Sequence, residues 1–425
     1  MRVARGVRER AGEQAASPPR EAREAARAAV GEGNGRRKAR EKKGRGPIVL
    51  LGACSLVCLA VFFTEVVWFF PLLPFSLDIS GRTRLPETPP GQVRILFVGD
   101  VLLGDAGHGV LGRRGYDHPF GTTRQILGGA DLAVGNQEGP ISASAPRDEG
   151  KRWSYRADPR SAKALARAGL GLMSLANNHV RDCGDQGVRD TVRHLREAGV
   201  TPFGAGASPE EAHEPALVTV RGLRLAIFGY LAAEQRYRGQ LVSHAALAAR
   251  PGQAGVALGA IPAVQRDLAR LKAKGGADLR IAVLHQGDRY HREPSALERK
   301  IARDMIEAGF DVVVVHGTHL AGPVELHQGK PILHGLGNFA FLSGNVRAGF
   351  SLMAALDLDL ARRRPSRLQL LPIYTVNRNP WVWFQTRVIL GRPARTRLGE
   401  LARRSVGYGA YLRLRQGPTR LVAEL

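Results

Sequence analysis

The stretch Leu170-Gly-Leu-Met-Ser-Leu-Ala-Asn-Asn-His-Val-Arg-Asp-Cys-Gly184 joins an apolar run to amide, imidazole and carboxylate side chains. After it, the apolar residues Val188, Val192 and Leu195 recur at helical spacing. The pattern is therefore typical of a strand, a polar loop and a helix, and open α/β sheets bind their ligands at such loops. Considered alone, an Asn-rich turn with a capping Asp fits equally well, because Asn and Asp satisfy local backbone groups.

Four other apolar runs also end in side chains that can bind metals, which favours a functional site. They are Val93–Asp100, Asp131–Glu138, Arg280–His285 and Asp311–His319. A further apolar run spans Arg224–Tyr230, and amphipathic helix patterns lie around residues 264–271 and 297–308. Apolar strands that alternate with such helices predict an α/β protein with a covered sheet. Residues 347–371 partly alternate, which predicts an antiparallel pair and therefore a mixed sheet.

Positive charge is concentrated at the two ends of this chain of 425 residues and net charge +24. Residues 1–46 hold 14 Lys or Arg against 6 Glu, and residues 361–425 hold 14 Arg against 2 Glu. Residues 1–46 contain no aromatic residue and too few apolar ones to form a core, so they are predicted to be a disordered basic tail. Nucleic-acid binding by this tail is disfavoured. The tail directly precedes a predicted membrane span, and positive charge at that place is the usual signal for a cytoplasmic N-terminus.

Residues 47–75 are predicted to form a transmembrane signal-anchor. Residues 48–67 (IVLLGACSLVCLAVFFTEVV) have Glu65 as their only charged side chain, and about 20 helical residues span the roughly 30 Å hydrocarbon core. The preceding Arg/Lys cluster predicts a single pass through the cell membrane, with a cytoplasmic N-terminus and an extracytoplasmic C-terminal domain. The 46 residues that precede the predicted anchor are too many for the charged start of a cleaved signal peptide, which disfavours cleavage. Lipidation at Cys54 is a minor alternative.

The remaining chain is predicted to contain three parts. Residues 76–92 are a Pro- and Gly-rich linker, residues 93–375 are the folded domain, and residues 376–425 are a basic C-terminal extension. The extension contains an aromatic cluster and an Arg-rich helix candidate from Thr396 to Leu412. That helix could pack on the domain or lie against anionic headgroups or an anionic polymer.

The strand ends together supply two carboxylates, an amide oxygen and several imidazoles, namely Asp100, Glu138, Asn178, His179, His285, His316 and His319. Mixed oxygen and nitrogen ligands favour Zn, Mn or Fe over Ca or Mg. One or two such ions could polarise a phosphoryl-type oxygen, and a histidine left unbound could protonate the leaving group. A single histidine at a strand end more often makes an ordinary hydrogen bond, but five strand ends together favour a site.

Other chemistries fit the sequence less well. The segment Gly104–Gly109 lacks the Gly-Lys-Ser/Thr ending of a phosphate-binding loop, and the Gly-x-Ser-x-Gly motif is missing. Cys183 has only His179 as a nearby base, which disfavours a cysteine nucleophile. Cys183 also has no cysteine partner outside the predicted membrane span, so no disulfide is expected in the exported domain.

Several short motifs between about Val93 and Pro372 are similar to those of a known family. They are Phe97-Val-Gly-Asp-Val-Leu-Leu-Gly104, Gly135-Asn-Gln-Glu138, Ala176-Asn-Asn-His179 with Asp182 and Gly184, His285-Gln-Gly-Asp-Arg-Tyr290, His316-Gly-Thr-His319 with Pro323 and Glu325, and Lys330-Pro-Ile-Leu-His-Gly-Leu-Gly-Asn-Phe339. Through these motifs the chain resembles the CapA/PgsA proteins of bacterial capsule and poly-γ-glutamate synthesis. The resemblance implies a calcineurin-like metallophosphoesterase fold, a layered sandwich with a mixed sheet.

The resemblance also implies roles for individual residues. The implied ligands of one or two Mn, Fe or Zn ions are Asp100, Glu138, Asn178, His285, His316 and His319. His179, with Asp182, would be the acid or transition-state stabiliser. The residues expected to contact substrate are Asn136, Asn177, Tyr290 and Asn338.

The sequence departs from the related pattern at three places. Asp100 is followed by Val101-Leu102, where phosphoesterases have Asp-x-His, so one ion would lose a ligand. His316 and His319 are three residues apart instead of two. Gln286 and Arg289 stand where the family has Trp and Glu.

Together these features predict a membrane-anchored, exported protein of capsule or exopolymer biosynthesis with a metal-dependent, phosphoester-type hydrolase site. The alternative is a non-catalytic polymer-binding or assembly and export factor with a degenerate pocket. The expected partners are an anionic exopolymer or its phosphorylated precursor, the membrane, and other membrane proteins of capsule synthesis, and nucleic acid is not expected.

Overall fold

Two large β-sheets organise the computed structural model, which describes residues 76–378 and 382–425. The predicted basic tail (1–46) and the predicted transmembrane helix (47–75) lie outside these residues. Within the described ranges, no helix is both long enough and apolar enough to cross a membrane.

The strands of the described chain are β1 (Gln92–Leu102), β2 (Leu132–Gln137), β3 (Leu172–Ser174), β4 (Thr201–Phe203), β5 (Ala205–Gly206), β6 (Ala216–Val220), β7 (Leu223–Leu231), β8 (Glu234–Tyr237), β9 (Gln240–Ser243), β10 (Gly255–Val256), β11 (Leu279–His285), β12 (Val312–His316), β13 (Val324–His327), β14 (Lys330–Leu333), β15 (Asn338–Phe341), β16 (Ser351–Asp359), β17 (Arg364–Tyr374), β18 (Arg387–Val388), β19 (Arg413–Arg415) and β20 (Arg420–Glu424). The α-helices are α1 (His108–Arg114), α2 (Arg124–Leu127), α3 (Arg160–Ala168), α4 (Gly184–Glu197), α5 (Pro209–His213), α6 (Ile261–Ala273), α7 (Ala296–Ala308) and α8 (Gly391–Val406). Short 3-10 turns span Asp105–Gly107, His118–Phe120, Ala245–Leu247 and Val346–Gly349.

The first sheet has ten strands in the order β19-β20-β17-β16-β1-β2-β3-β4, with β15 also paired to β1 and β18 to β17. The second has six strands in the order β13-β14-β12-β11-β7-β6. Strands β1 to β4 are parallel to one another, as are β7, β11, β12 and β14. The pair β16 and β17 is antiparallel. The prediction of a mixed α/β sheet fold is therefore confirmed.

The two sheets pack face to face, with helices on their outer faces. In β1, Ile95 and Phe97 belong to the core between the sheets, whereas Leu96 and Val98 pack in the cluster that includes α3 and α4. This division follows from the alternation of side chains along a strand. The second sheet packs its outer face against Val264 of α6 and residues of α7. Strands buried on both faces explain why the central runs are apolar at most positions.

Gly99 allows β15 to lie against β1, immediately before Asp100. A Cβ atom on Gly99 would lie 1.9 Å from the carbonyl oxygen of Gly337, a distance that no side chain tolerates. The amide of Asp100 donates to that same carbonyl at 2.9 Å. Asn338 consequently lies opposite Asp100 in the parallel register of β1 and β15.

The residues on either side of the predicted domain take part in the same fold. Within 76–92, the Asp78 carboxylate accepts backbone hydrogen bonds from Ser80, Gly81 and Thr83. After residue 375, β18 and β20 both pair with β17. Leu398 and Leu401 of α8 are buried in the core between the sheets. The predicted Arg-rich helix thus packs on the domain, but it spans Gly391–Val406 and ends before Leu412, because Gly407 forms its C-cap and Gly409 has a positive φ.

Candidate metal centre and cleft

The carboxyl ends of parallel strands from both sheets meet at one edge of the sandwich. Asp100 lies in β1, Asn136 in β2, His285 at the end of β11 and His316 at the end of β12. His285 and His316 are register partners in the second sheet. Parallel strands deliver their carboxyl-terminal side chains to a common edge, so residues far apart in sequence become neighbours.

One amide group holds the two acidic side chains of the site together. The Nδ2 atom of Asn136 donates to Asp100 Oδ1 at 2.9 Å and to Glu138 Oε2 at 2.8 Å. The Oδ1 atom of Asn136 in turn accepts from Asn177 Nδ2 at 3.1 Å. Asn177 also donates to the Gln137 carbonyl at 2.7 Å. The buried amides of Asn136 and Asn177 therefore fix the carboxylates and do not line the cleft.

Asp100, Glu138 and His285 form a compact group of potential metal ligands. One ligand atom from each lies within 4.8 Å of the others, and all three residues are buried. The Nδ1 atom of His285 is buried without a hydrogen-bond partner in the part of the chain that the structure describes. Such an atom costs about 1–3 kcal/mol when left unsatisfied. Two carboxylates and an unpaired imidazole fit a divalent transition metal such as Mn, Fe or Zn.

His316 and His319 both contact Asp100. The Nδ1 atom of His316 lies 3.1 Å from Asp100 Oδ1, and the Nδ1 atom of His319 lies 3.1 Å from Asp100 Oδ2. His319 Nδ1 also lies 2.8 Å from Asn338 Oδ1. The left-handed backbone of His319, with φ +59°, turns its ring back towards β1. In this arrangement the two imidazoles support Asp100, and only their Nε2 atoms remain for further contacts.

The protonation states of the site are shifted by burial and by the neighbouring charges. Burial and the charge of Asp100 raise the pKa of Glu138 to about 8. Burial alone would raise the pKa of Asp100, but the neighbouring imidazoles of His316 and His319 outweigh it and hold that pKa well below its usual range. Burial lowers the pKa of His285 to about 3. Burial also opposes protonation of His319, yet the bond to Asp100 raises its pKa to about 9. Adjacent buried carboxyl groups of this kind favour a bound cation.

A histidine–aspartate pair lies beside this group. The Nδ1 atom of His179 is 2.7 Å from Asp182 Oδ2. The fully buried Asp182 also accepts from Lys151 Nζ at 2.7 Å and from the Tyr155 amide at 2.8 Å. The Tyr155 ring lies 4.3 Å from the His179 ring, centroid to centroid. These contacts fix the orientation of the imidazole, as a general acid requires.

A cleft of about 350 Å³ opens on the site. The predicted residues that line it are Glu138, Asn178, His179, His285 and His319. Tyr290 is half-buried, its ring centroid lies 5.9 Å from that of His319, and it is not among the lining residues. Asn338 is buried behind His319. Of the residues expected to contact substrate, Asn136, Asn177 and Asn338 therefore support the site from behind.

Sequence reasoning missed most of the cleft wall. The lining residues that it did not single out are Lys151, Arg152, Trp153, Tyr155, Gln235, Tyr237, His244, Leu247, Gly287 and Gly317. The available signal was the Lys151-Arg-Trp-Ser-Tyr155 segment, which mixes cations and aromatics in a loop. Aromatic rings can orient a neighbouring guanidinium group, and Arg and Lys bind carboxylate or phosphate groups through charged hydrogen bonds.

Cys183 is poorly suited to act as a nucleophile. It is buried, and its Sγ atom lies 3.6 Å from the Tyr155 carbonyl oxygen. Burial raises the pKa of the thiol to about 11. The thiolate needed for nucleophilic attack is therefore scarce at neutral pH.

These features define a class of mixed α/β proteins with a buried Asp/Glu/His centre at the common edge of two packed sheets. Residues 94–343 match the family described as Bacterial capsule synthesis protein PGA_cap, and the chain belongs to this family. The resemblance inferred from the motifs is thereby confirmed.

Two relatives illustrate the similarity. A probable polyglutamine synthesis accessory protein of Mycobacterium tuberculosis (strain CDC 1551 / Oshkosh) is 34% identical over 313 residues, which cover 70% of this chain and 76% of that protein. The PGA biosynthesis protein CapA of Bacillus subtilis (strain 168) is 28% identical over 307 residues, which cover 71% and 77%. Among solved structures, the sulfate thiohydrolase SoxB of Thermus thermophilus in complex with glycerol is 11% identical, covers 69% of this chain and 58% of its own, and has a TM-score of 0.37. That low similarity assigns no function to this chain.

Proposed function

We propose that this chain is a membrane-anchored, exported protein of capsule or poly-γ-glutamate-type polymer synthesis with a metal-dependent site for phosphoester-type hydrolysis. The observation that carries the proposal is the buried group of Asp100, Glu138 and His285, whose ligand atoms lie within 4.8 Å of one another. Membership of the capsule synthesis family supports the biological role. The metallophosphoesterase-like character of the fold is part of the proposal, and the two packed sheets with polar strand ends support it.

Each side chain of the site has a distinct task in this proposal. Asp100, Glu138 and His285 would hold one Mn, Fe or Zn ion, and Asn178, His316 and His319 are the further ligand candidates, enough for a second. A bound ion of this kind would supply Lewis-acid polarisation of a phosphoryl oxygen. Asn136 keeps both carboxylates in place through its Nδ2 atom. Support of this kind from outside the ligand shell tunes metal affinity.

The proton chemistry belongs to His179. Its Nδ1 atom is taken by Asp182, and no partner of its Nε2 atom occurs in the described part of the chain. Because His179 lines the cleft, Nε2 is the atom that would donate a proton to the oxygen of the leaving group. Asp182 stabilises the protonated ring, and Lys151 balances the charge of Asp182.

The test is hydrolysis of bis(p-nitrophenyl) phosphate by the purified full-length chain, after metal removal with EDTA and after reconstitution with Mn, Fe or Zn. We expect turnover only in the reconstituted protein, and loss of turnover in Asp100→Asn. The matched control is Asp117→Asn, which removes an exposed carboxylate that pairs with Arg167 on the surface. Equal rates in folded wild type and Asp100→Asn would contradict the proposal.

A non-catalytic role is the second candidate, and the cationic residues of the cleft favour it. Lys151, Arg152 and Arg289 all line the cavity, so it could hold an anionic polymer without cleaving it. Binding of such a polymer by metal-loaded protein without any turnover of phosphoester probes would select this candidate.

The membrane location is also proposed. The apolar run at residues 48–67 and the basic cluster before it support a single pass with the folded domain outside the cytoplasm. Protease added to intact spheroplasts should degrade the domain and leave a short protected fragment. Full protection of the domain until the membrane is lysed would contradict this topology.

A further inference from the structure

Two arginines in the cleft wall have no acidic partner among the residues that the structure describes. Arg152 is exposed, and its guanidinium carbon lies 5.6 Å from the centroid of the Trp153 ring. Arg289 is half-exposed, donates to the Tyr237 hydroxyl at 3.2 Å and lies 5.6 Å from the centroid of the Tyr290 ring. Within residues 76–378 and 382–425, neither forms an ion pair. Aromatic rings orient a guanidinium group without neutralising its charge.

The third cation of the cleft differs from these two. Lys151 contacts the Asp182 carboxylate at 2.7 Å, so its charge is already compensated. Some arginines elsewhere on the domain, such as Arg160 and Arg193, likewise pair with nearby acids. Others, such as Arg395 on α8, have no ion pair in the described chain. What distinguishes Arg152 and Arg289 is therefore their position in the cleft wall, and not the lack of an ion pair alone.

The cleft offers no exposed carboxylate that could satisfy them. Glu138 is the one acidic residue among its lining residues, and only 1% of Glu138 is exposed. The outer wall therefore carries uncompensated positive charge, while the metal-ligand candidates lie at its buried end. A guanidinium group has five N–H donors, and Arg289 uses one of them for Tyr237, so both side chains retain donors for a ligand.

We infer that Arg152 and Arg289 form an oxyanion-binding subsite that holds a carboxylate or phosphate group of the ligand beside the group that reaches the metal centre. Guanidinium groups bind both kinds of oxyanion through paired hydrogen bonds. Because the subsite lies in the same cleft as Glu138 and His285, the ligand it fits carries at least two anionic groups, or an anionic group next to the bond that reacts. The inference rests on the proposed function for its account of why the ligand enters the cleft, and it deepens that function by naming the substrate class.

The test is equilibrium binding to the full-length chain by isothermal titration calorimetry, at fixed pH and ionic strength. The two probes are inorganic phosphate and pentaglutamate, which separate the phosphate and carboxylate sources of the oxyanion. We expect Arg152→Gln and Arg289→Gln each to weaken binding of at least one probe about tenfold, which matches the loss of a hydrogen bond to a charged group. The conservative variants Arg152→Lys and Arg289→Lys should retain part of the affinity, because they keep the charge and lose the paired geometry.

Arg395→Gln is the matched control, since Arg395 is exposed on α8, outside the cleft, and has no ion pair in the described chain. Its affinity should equal that of the wild type. The inference is overturned if the wild type binds neither probe, if Arg152→Gln and Arg289→Gln bind as well as wild type, or if Arg395→Gln loses as much affinity as they do. Thermal unfolding curves of each variant show that the fold is kept.

Metal content is measured on the same samples, which separates this inference from the proposed function. Arginine-dependent binding in a chain that retains no metal would support the subsite and contradict the proposed metal-dependent hydrolysis. Metal retained in all variants, with no arginine-dependent binding, would support the metal centre and overturn the subsite.

Discussion

The Nδ1 atom of His179 lies 2.7 Å from the Oδ2 atom of Asp182, and this contact leaves Nε2 as the ring nitrogen available to the cleft. The two residues belong to one short segment, Asn177 to Asp182, between β3 and α4. Asp182 is completely buried and is held in turn by Lys151 and by the Tyr155 amide. The geometry makes Asp182 a positioning residue for His179.

Asp182→Asn is expected to lower kcat for bis(p-nitrophenyl) phosphate by about 10- to 100-fold. This loss is smaller than the full contribution of a general acid, because His179 itself is still present. The amide can hold the wrong tautomer of His179 and cannot stabilise its protonated form. Metal content and KM should change little, because Asp182 is not a ligand candidate. A variant that loses its metal together with its activity would place Asp182 in the metal centre instead.

Asn136→Ala is expected to weaken metal affinity by about 10- to 100-fold, the usual effect of removing support from behind metal ligands. The reason is that one amide nitrogen fixes both Asp100 and Glu138. Competition with a fluorescent chelator measures the affinity directly. Asn345→Ala serves as a control, because that side chain caps a surface turn by accepting from the Arg347 amide. Equal affinity in Asn136→Ala and wild type would show that the carboxylates need no such support.

A buried ion pair joins the central strand to its antiparallel neighbour. Arg94 of β1 and Asp357 of β16 are register partners, their N–O distances are 2.6 Å and 3.0 Å, and both side chains are at most 1% exposed. We expect Asp357→Leu to lower the free energy of unfolding by about 3–5 kcal/mol, because it leaves the Arg94 charge buried and unpaired.

The double variant Arg94→Leu/Asp357→Leu should be more stable than Asp357→Leu alone, since no unpaired charge remains. Urea unfolding measures both. Asp117→Leu, which breaks an exposed pair with Arg167, should cost no more than about 1 kcal/mol. A double variant as unstable as Asp357→Leu would show that packing, and not the unpaired charge of Arg94, determines the loss of unfolding free energy.

Acid should destabilise the protein partly through Glu325. This buried carboxylate contacts His334, Arg299 and Arg303. Burial would raise its pKa, but the bonds from His334, Arg299 and Arg303 outweigh burial and lower the pKa from 4.5 to about 2. Because the folded-state pKa is the lower one, the stabilisation is present above about pH 4.5 and is lost as the pH falls towards 2.

The wild type should therefore lose more unfolding free energy between pH 6 and pH 3 than Glu325→Gln does. Urea unfolding at the two pH values checks this difference. Glu197→Gln, with a half-exposed carboxylate on α4, should show the pH dependence of the wild type. Identical pH dependence in Glu325→Gln and wild type would contradict the assignment.

The sequence predicts the central strands of the fold well, because each strand and the polar residue at its end lie within one short stretch of the chain. Each buried strand is an apolar run, and each run is followed by the polar residue that the parallel arrangement delivers to the shared edge. The run that ends at Asp100 and the run that ends at His285 could both be recognised in this way. Their meeting then follows from the general geometry of parallel strands.

The cleft wall could not be predicted in the same way because long-range contacts place it. Tyr155 is positioned by Asp182, and Gln235 accepts from the amide of Gly287, more than fifty residues away in sequence. The orientation of the His316 and His319 rings also could not be predicted from their spacing in the sequence. The positive φ of His319 turns its ring to Asp100, which no periodicity reveals.

The last strands were missed for a related reason. In β20, only Leu421, Val422 and Ala423 are buried, and Arg420 and Glu424 flank them. Such a short run between charges carries no alternation, and its pairing with β17 is fixed by the sheet already formed.

The most direct measurement is the metal content of the purified full-length chain by inductively coupled plasma mass spectrometry, beside Asp100→Ala and His285→Ala variants that remain folded. We expect near-stoichiometric Mn, Fe or Zn in the wild type and its loss in both variants. A folded wild type that holds no metal, even after reconstitution with each ion, would contradict the metal centre and leave a polymer-binding role in its place.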